Sequence, residues 1–296
     1  MKIAIHGRIF KEDTKPYIQA MFDLFVQENI ELQISEPYWA VLSEAGIVHS
    51  ATSSYYDNHN LFEADFMLSL GGDGTLLDAV THVGNRETPI LGINTGRLGF
   101  LATVSPDKIH EILKDVFAGD YVLDKRTLVS INTTLNGEML DIFNGVNFGL
   151  NELGIMKTDT SSMIMVRAYL NGEFLNTYWA DGLIIATATG STGYNLSVGG
   201  PLVIPTSDIF VISPMSPHNL NVRPLVVSTD SILDFEVESR SNNCLISLDA
   251  RSKVVDSNIK IRMEREKFKA NIIKLSDTNF LNTLRSKLNW GFDVRN

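Results

Sequence analysis

The residues best placed to do chemistry lie in Gly71-Gly72-Asp73-Gly74-Thr75. An apolar run of strand length, residues 66–70, precedes them, and Thr75 opens an apolar-periodic segment of Leu76, Leu77, Val80 and Val83. The stretch therefore reads as strand, turn and start of helix. Its glycines allow positive φ and let a ligand come close to the main chain. Unpaired N–H groups at a helix N-terminus suit phosphate. A carboxylate in such a turn repels phosphate, so Asp73 needs a reason. It could cap the helix, hold a metal, or orient and deprotonate an attacking hydroxyl. The dinucleotide fingerprint does not fit, because no third glycine follows at the required offset. The Walker loop does not fit, because no Gly-Lys-Ser/Thr follows.

Two further stretches carry polar groups suited to a ligand. In residues 181–200 an apolar strand (183–186) feeds Thr187-Ala188-Thr189-Gly190-Ser191-Thr192-Gly193-Tyr194, a loop of hydroxyls and close-approach glycines. Asn151-Glu152 is an adjacent amide and carboxylate that can offer donor and acceptor to a base or a ribose, or simply end a strand. His6, His49 and His218 have no metal-ligand spacing and read as surface or structural. Cys244 lies in an apolar strand pattern and reads as core. No Gly-x-Ser-x-Gly elbow appears, which disfavours that kind of hydrolase.

These residues must be carried by two different kinds of domain. From residue 1 to about 120, strand and helix patterns alternate: strands at 3–5, 31–35, 66–70 and 89–93, helices at 15–29, 38–45, 75–83 and 105–117. That alternation predicts a parallel sheet covered on its faces. Ligands then sit beyond the C-terminal strand ends, where the turn at 71–74 and a second turn, Asn94-Thr95-Gly96-Arg97-Leu98-Gly99, form two sides of a cleft. From 121 to 276 the texture is antiparallel β. Asn136-Gly137 and Asn171-Gly172 predict hairpin turns, and short strands follow at 231–238, 244–248 and 259–263. A terminal amphipathic helix, capped from Ser276-Asp277-Thr278, covers residues 279–288 and is expected to join the first domain (277–296).

Composition sets limits on partners. The 296 residues are 44% hydrophobic and 20% charged, with a net charge of −10. That balance fits an ordinary globular protein, disfavours nucleic acid, and gives no polybasic membrane patch. A single cysteine excludes an intrachain disulfide and fits a reducing compartment. With no signal-peptide pattern and no long apolar span, the chain reads as cytoplasmic.

Taken in order, Gly-Gly-Asp-Gly-Thr, Asn-Thr-Gly-Arg-Leu-Gly-Phe-Leu, Asn151-Glu152 and Asp-Gly…Thr-Gly-Ser-Thr-Gly-Tyr resemble the NAD kinases over nearly the whole chain. Diacylglycerol- and sphingosine-type lipid kinases resemble the first motif alone. The resemblance implies transfer of a phosphoryl group from ATP, with Mg²⁺, to the 2′-hydroxyl of NAD, in a homodimer or homotetramer. It implies Asp73 as catalytic base and Gly74 beside it against the NAD. Asn151 and Glu152 would hold the ribose and base region. Asp181 would contact the nicotinamide side, across a subunit interface. Thr192, Gly193, Tyr194, Asn195, Leu196 and Ser197 would line the pocket, with Tyr194 stacking on a base. Gly71, Gly72 and Thr75 would face the donor phosphates. Four places differ from the usual pattern. Ala188 replaces a common proline, and Gly193 a common alanine. Trp179 stands where a basic residue is frequent, and Asp249-Ala250-Arg251 where Asp-Gly-Gln is frequent. The last two bear on how phosphates or the second base are held. The alternatives to this function are a lipid kinase and a non-catalytic dinucleotide-binding module.

Overall fold

A computed structural model describes residues 1–56, 63–96, 99–158, 162–275 and 279–289. The chain forms two compact units, Met1–Lys125 with Ala270–Asn296, and Arg126–Lys269. The first unit contains β1 (Lys2–Gly7), α1 (Lys15–Gln27), β2 (Glu31–Ser35), α2 (Glu36–Glu44), β3 (Ser53–Tyr56), β4 (Phe66–Gly71), α3 (Asp73–Val83), β5 (Ile90–Asn94) and α4 (Ile109–Ala118). The strands that follow are β6 (Val122–Leu135), β7 (Glu138–Met139), β8 (Phe148–Gly149), β9 (Glu152–Met156), β10 (Ile164–Leu170), β11 (Glu173–Ala180) and β12 (Gly182–Thr187). A short helix, α5 (Tyr194–Ser197), precedes β13 (Ile209–Met215), β14 (Leu225–Ser228), β15 (Leu233–Glu238), β16 (Asn243–Leu248), β17 (Arg251–Asp256) and β18 (Lys260–Lys274). The C-terminal end of β18 and α6 (Phe280–Leu288) belong to the first unit.

The first unit is a wholly parallel sheet in the order β18-β5-β4-β1-β2-β3. From β1 the chain builds outward on one side through β2 and β3, then returns to build on the other through β4 and β5. The strand order therefore reverses between β1 and β4, and a crevice opens beyond their C-terminal ends. Period-two alternation sorts the side chains. Ile3 and Ile5, Leu32 and Ile34, Phe66, Leu68 and Leu70 share one core with α1, α2 and α4. On the opposite face lies α3, so close that a Cβ on Gly92 would come 2.7 Å from Leu76 Cδ1.

In the second unit the hairpins and the pairs β10–β15, β15–β18, β9–β12 and β9–β16 are antiparallel. One sheet runs β14-β13-β12-β9-β16-β17, and the other contains β11-β10-β15-β18 with β6 beside β18. Both contribute alternate residues to one apolar core, including Leu153, Ile155, Leu183 and Ile185 from the first and Val166, Ala168 and Phe235 from the second. The Asn-Gly pairs do what their chemistry demands. Asn136 and Gly137 take φ of 53° and 86°, and Asn171 and Gly172 take 53° and 83°, the double positive φ of a type I′ turn. Cys244 is fully buried, and burial together with the charge of Asp256 pushes its thiol up to about 12, which leaves no thiolate for chemistry.

His6 and His49 make internal contacts. His6 pairs with Ser35 Oγ at 3.1 Å, and His49 stacks on Phe22 at 4.7 Å. His218 is exposed, and its backbone N–H donates to the Trp179 carbonyl at 2.8 Å. The cap of α6 is Asn279, whose side chain accepts from the Leu281 N–H at 2.9 Å. The three capping residues expected before it, 276–278, lie outside the described residues.

Candidate active site

The turn after β4 lies at the reversal of strand order. Its backbone departs from the expectation of positive φ. Gly72 has φ −98°, and neither Gly71 nor Gly74 lies in the left-handed region. Lack of space requires glycine at Gly71 alone. A Cβ on Gly71 would overlap the Thr75 side chain, while Gly72 and Gly74 face open space with nothing within 4 Å of such an atom. Gly74 is exposed and Thr75 is buried.

Asp73 is the first residue of α3, and it does not cap its own helix. Its carboxylate reaches across to the segment after β5. Oδ2 accepts from the Phe100 N–H (2.8 Å), and Oδ1 accepts from Leu101 (3.0 Å) and Ala102 (3.1 Å). Gly99 must be glycine for this to happen, because a Cβ there would sit inside the Asp73 carboxylate. The same segment is tied to β5, where the Asn94 N–H donates to Val104 O at 2.7 Å and its side chain to Ala102 O at 3.3 Å. Gly71 pairs with Asn94, and the Thr95 N–H donates to Gly71 O at 3.2 Å, so the two glycine-rich turns are neighbours on one sheet edge. Arg97 and Leu98 of the second turn lie outside the described residues. The result is a fixed, half-exposed carboxylate beside two open glycines. Nζ of Lys287 on α6 lies 5.0 Å from the Phe100 ring centroid.

The second unit gathers another set. Gly190 packs so tightly on the Asn151 backbone that any Cβ would collide with its carbonyl. A Cβ on Gly193 would come 2.9 Å from Glu152 Oε2 and 3.4 Å from Asn151 Nδ2. The glycine that stands where alanine is common thus leaves room beside the Glu152 carboxyl. The Thr187 hydroxyl donates to Leu150 O (2.6 Å) and accepts from the Gly190 N–H (3.1 Å), which joins the loop to the strand before Asn151. Tyr194 is 41% exposed. Glu152 is buried, and burial followed by the negative charge of Asp249 pushes its carboxyl up to about 8, against a hydrogen bond from the Tyr194 N–H.

Asn195 behaves differently from its neighbours. It has no exposed surface, and its amide is consumed internally. Nδ2 donates to the Ser191 and Pro201 carbonyls at 3.3 and 3.2 Å, and Oδ1 accepts from the Ser213 hydroxyl at 2.7 Å. It shapes the loop from inside. Ser213→Ala is expected to leave Oδ1 unpaired and cost about 1–3 kcal/mol. A thermal melt checks this, because each kcal/mol lowers Tm by roughly 2–4 °C for a chain of this size.

Asp181 stands at the far end of β12 from Glu152. Glu152 pairs with Ala186, five residues along, or roughly 17 Å at ~3.3 Å per residue. Asp181 forms an ion pair with Lys157 (2.7 Å) and lines a concavity of about 590 Å³ with Trp179, Met163 and Arg240. Lys157 brings a cation to Asp181, although the position two before it holds Trp179. Arg251 donates to the Val146 and Phe148 carbonyls and lies 5.3 Å from the Phe143 ring centroid, so this departure from the family pattern fixes the approach to Asn151. The sequence points to the loop that holds Thr187 and Gly190 and to the stretch that holds Asp249, but not to the partners these residues take. The glycines around them were a signal, but their partners are remote in sequence.

Solved structures share this architecture. The fold matches a yeast NADH kinase solved with NADH (TM-score 0.88, 19% identity, 99% of this chain and 89% of that one). It also matches an NAD kinase from Archaeoglobus fulgidus solved with ATP (TM-score 0.71, 24% identity, 98% of each chain). Residues 14–121 match the model of the ATP-NAD kinase N-terminal domain, and residues 150–275 that of the C-terminal domain. NAD kinases of Cytophaga hutchinsonii and Flavobacterium psychrophilum are 46% and 42% identical over the full length of both chains. The chain belongs to the NAD kinase family.

Proposed function

We infer that this member of the NAD kinase family moves the γ-phosphoryl group of ATP onto the adenosine ribose 2′-hydroxyl of NAD, and that Asp73 acts at that hydroxyl. A bond forms between the 2′-oxygen and the γ-phosphorus, the β–γ bridge bond of ATP breaks, and NADP, ADP and a proton leave. The observation that carries the reading is the Asp73 carboxylate itself. Three N–H groups hold it in one orientation, next to open glycine backbone at a switch point. Phosphoryl transfer depends chiefly on positioning and charge neutralisation. A carboxylate with a reference pKa of about 3.9 is a weak base for a sugar hydroxyl, so alignment accounts for much of its effect and the proton moves late.

Gly71, Gly72 and Thr75 would face the donor phosphates. Among the described residues no group of three or more acidic, histidine or cysteine side chains could hold a metal. Mg²⁺ fits as part of the donor, bound by its phosphates, where it offsets their charge. Asn151, Glu152, Gly193 and Tyr194 would receive the dinucleotide. Because Asp181 lies a strand's length from Glu152, it would serve the NAD of a second copy in a homodimer or homotetramer. No described helix is long and apolar enough to cross a membrane. A cytoplasmic location is part of the same proposal.

Release of ADP from ATP and Mg²⁺ tests this reading. It is expected to depend on added NAD and to be indifferent to vesicles carrying diacylglycerol or sphingosine. Lipid-dependent release, or NAD binding with no release, would favour one of the alternatives.

A further inference from the structure

Asp249 sits in the turn between β16 and β17 at φ 53°, a left-handed conformation that few non-glycine residues adopt. Its side chain and backbone both grip the start of β9. The carboxylate accepts from the N–H groups of Leu150 (2.7 Å), Asn151 (2.7 Å) and Glu152 (3.1 Å). Its own N–H returns a bond to the Glu152 carbonyl at 3.1 Å. A Cβ on Gly149 would come within 2.9 Å of Asp249 Oδ1, so the glycine keeps this approach open. The pair Asn151-Glu152 is therefore held from behind by one residue almost a hundred positions away.

The two acids are provided for unequally. Burial raises the Asp249 carboxyl above its usual range, but three N–H donors and the charge of Arg251 nearby oppose that effect. Glu152 has only the Tyr194 N–H, and its Oε2 has no partner. The groups facing Glu152 are Asp249 from the β16–β17 turn and Tyr194 from the loop. Among the described residues no Lys, Arg or His forms an ion pair with it. When two neighbouring carboxyls are so different in their support, the less supported one keeps the proton.

We propose that Asp249 is a positioning residue for the dinucleotide: it fixes Asn151-Glu152 through three backbone N–H groups and leaves Glu152 to meet the ligand as a hydrogen-bond donor. A protonated carboxyl offers one O–H, which a carboxylate cannot, so it favours an acceptor atom of the base or ribose. The proposal rests on the assignment of NAD as ligand.

The test is the Kd for NAD, measured by calorimetry without ATP from pH 6.5 to 9.5. A donor that loses its proton as pH rises gives an affinity that is full below its pKa and lost above it. The wild-type Kd is expected to be level up to about pH 8 and then to rise, approaching tenfold per pH unit. Glu152→Gln, which cannot titrate, is expected to abolish the rise. Asp249→Asn is expected to weaken binding about tenfold and to move the onset of the rise to lower pH, a shift that a purely structural role would not cause. A level wild-type profile, a rise that persists in Glu152→Gln, or an unmoved onset in Asp249→Asn would overturn the proposal. If Asp249→Asn does not fold, the wild-type and Glu152→Gln profiles decide. Failure of the wild-type chain to bind NAD at any pH would remove the assignment of the ligand beneath it.

Discussion

Asp73→Asn is expected to lower kcat by about 10²–10⁴-fold, the range for loss of a positioned general base, while NAD binding remains measurable. The substitution is informative because it retains most of the local structure. The amide oxygen can still accept the two N–H groups that Oδ1 receives from Leu101 and Ala102. The amide nitrogen cannot accept the Phe100 N–H that Oδ2 receives, so one bond of three is lost together with the charge. Helix α3 keeps its start, since Asp73 contributes no cap. Steady-state kcat with both substrates saturating measures the effect. A variant within a few-fold of wild type would show that Asp73 only ties the segment at residues 100–102 to the turn.

Gly190→Ala is expected to have the largest effect on the dinucleotide set. The added methyl would meet the backbone of Asn151, lying 2.6 Å from its carbonyl carbon and 2.9 Å from its Cα, and closer still to the oxygen. A side chain could rotate away, but this backbone cannot, because the Thr187 N–H already donates to the same carbonyl at 2.8 Å. Either the loop lifts or Asn151 and Glu152 move. The expected cost is about 1–3 kcal/mol of stability, typical of overpacking. The Kd for NAD should rise at least about tenfold, corresponding to ~1.4 kcal/mol. Calorimetry and a thermal melt measure both. A Kd within twofold of wild type would separate the Gly190 contact from NAD binding.

Much of the architecture was legible because local chemistry and tertiary structure agree. The helix expected over residues 15–29 runs to Gln27 and buries Ile18, Met21, Phe22 and Phe25 of the apolar face its periodicity predicts, but Val26, expected with them, is exposed and Leu24 is buried instead. Asn171-Gly172 fixes its hairpin by turn geometry alone. β3 was not legible, since Ser53-Ser54-Tyr55-Tyr56 is short and carries one buried side chain of four. β18 was read as residues 259–263 and in fact runs to Lys274. Its middle, from Glu264 to Lys269, is charged apart from Phe268 and shows no apolar alternation.

The site was legible at its glycines and hydroxyls and less so in how they work. Of the two roles expected for the glycines of the turn at 71–74, positive φ is absent, while Gly72 and Gly74 leave open space at the backbone. Asn195 looked like a pocket residue among hydroxyls, but nothing local foretells that Ser213 on β13 would bury and saturate it. The grip of Asp249 on the start of β9 has no local signal in its own stretch. Its partners, Leu150 to Glu152, meet it only through the antiparallel pairing of β9 with β16.

The most direct test of the central claim is the ³¹P NMR spectrum of the reaction of this chain with ATP, Mg²⁺ and NAD. A new phosphomonoester resonance from a phosphate on the adenosine ribose 2′-oxygen is expected, growing in step with ADP. A phosphoryl group on any other hydroxyl, or loss of ATP with NAD unchanged, would contradict it.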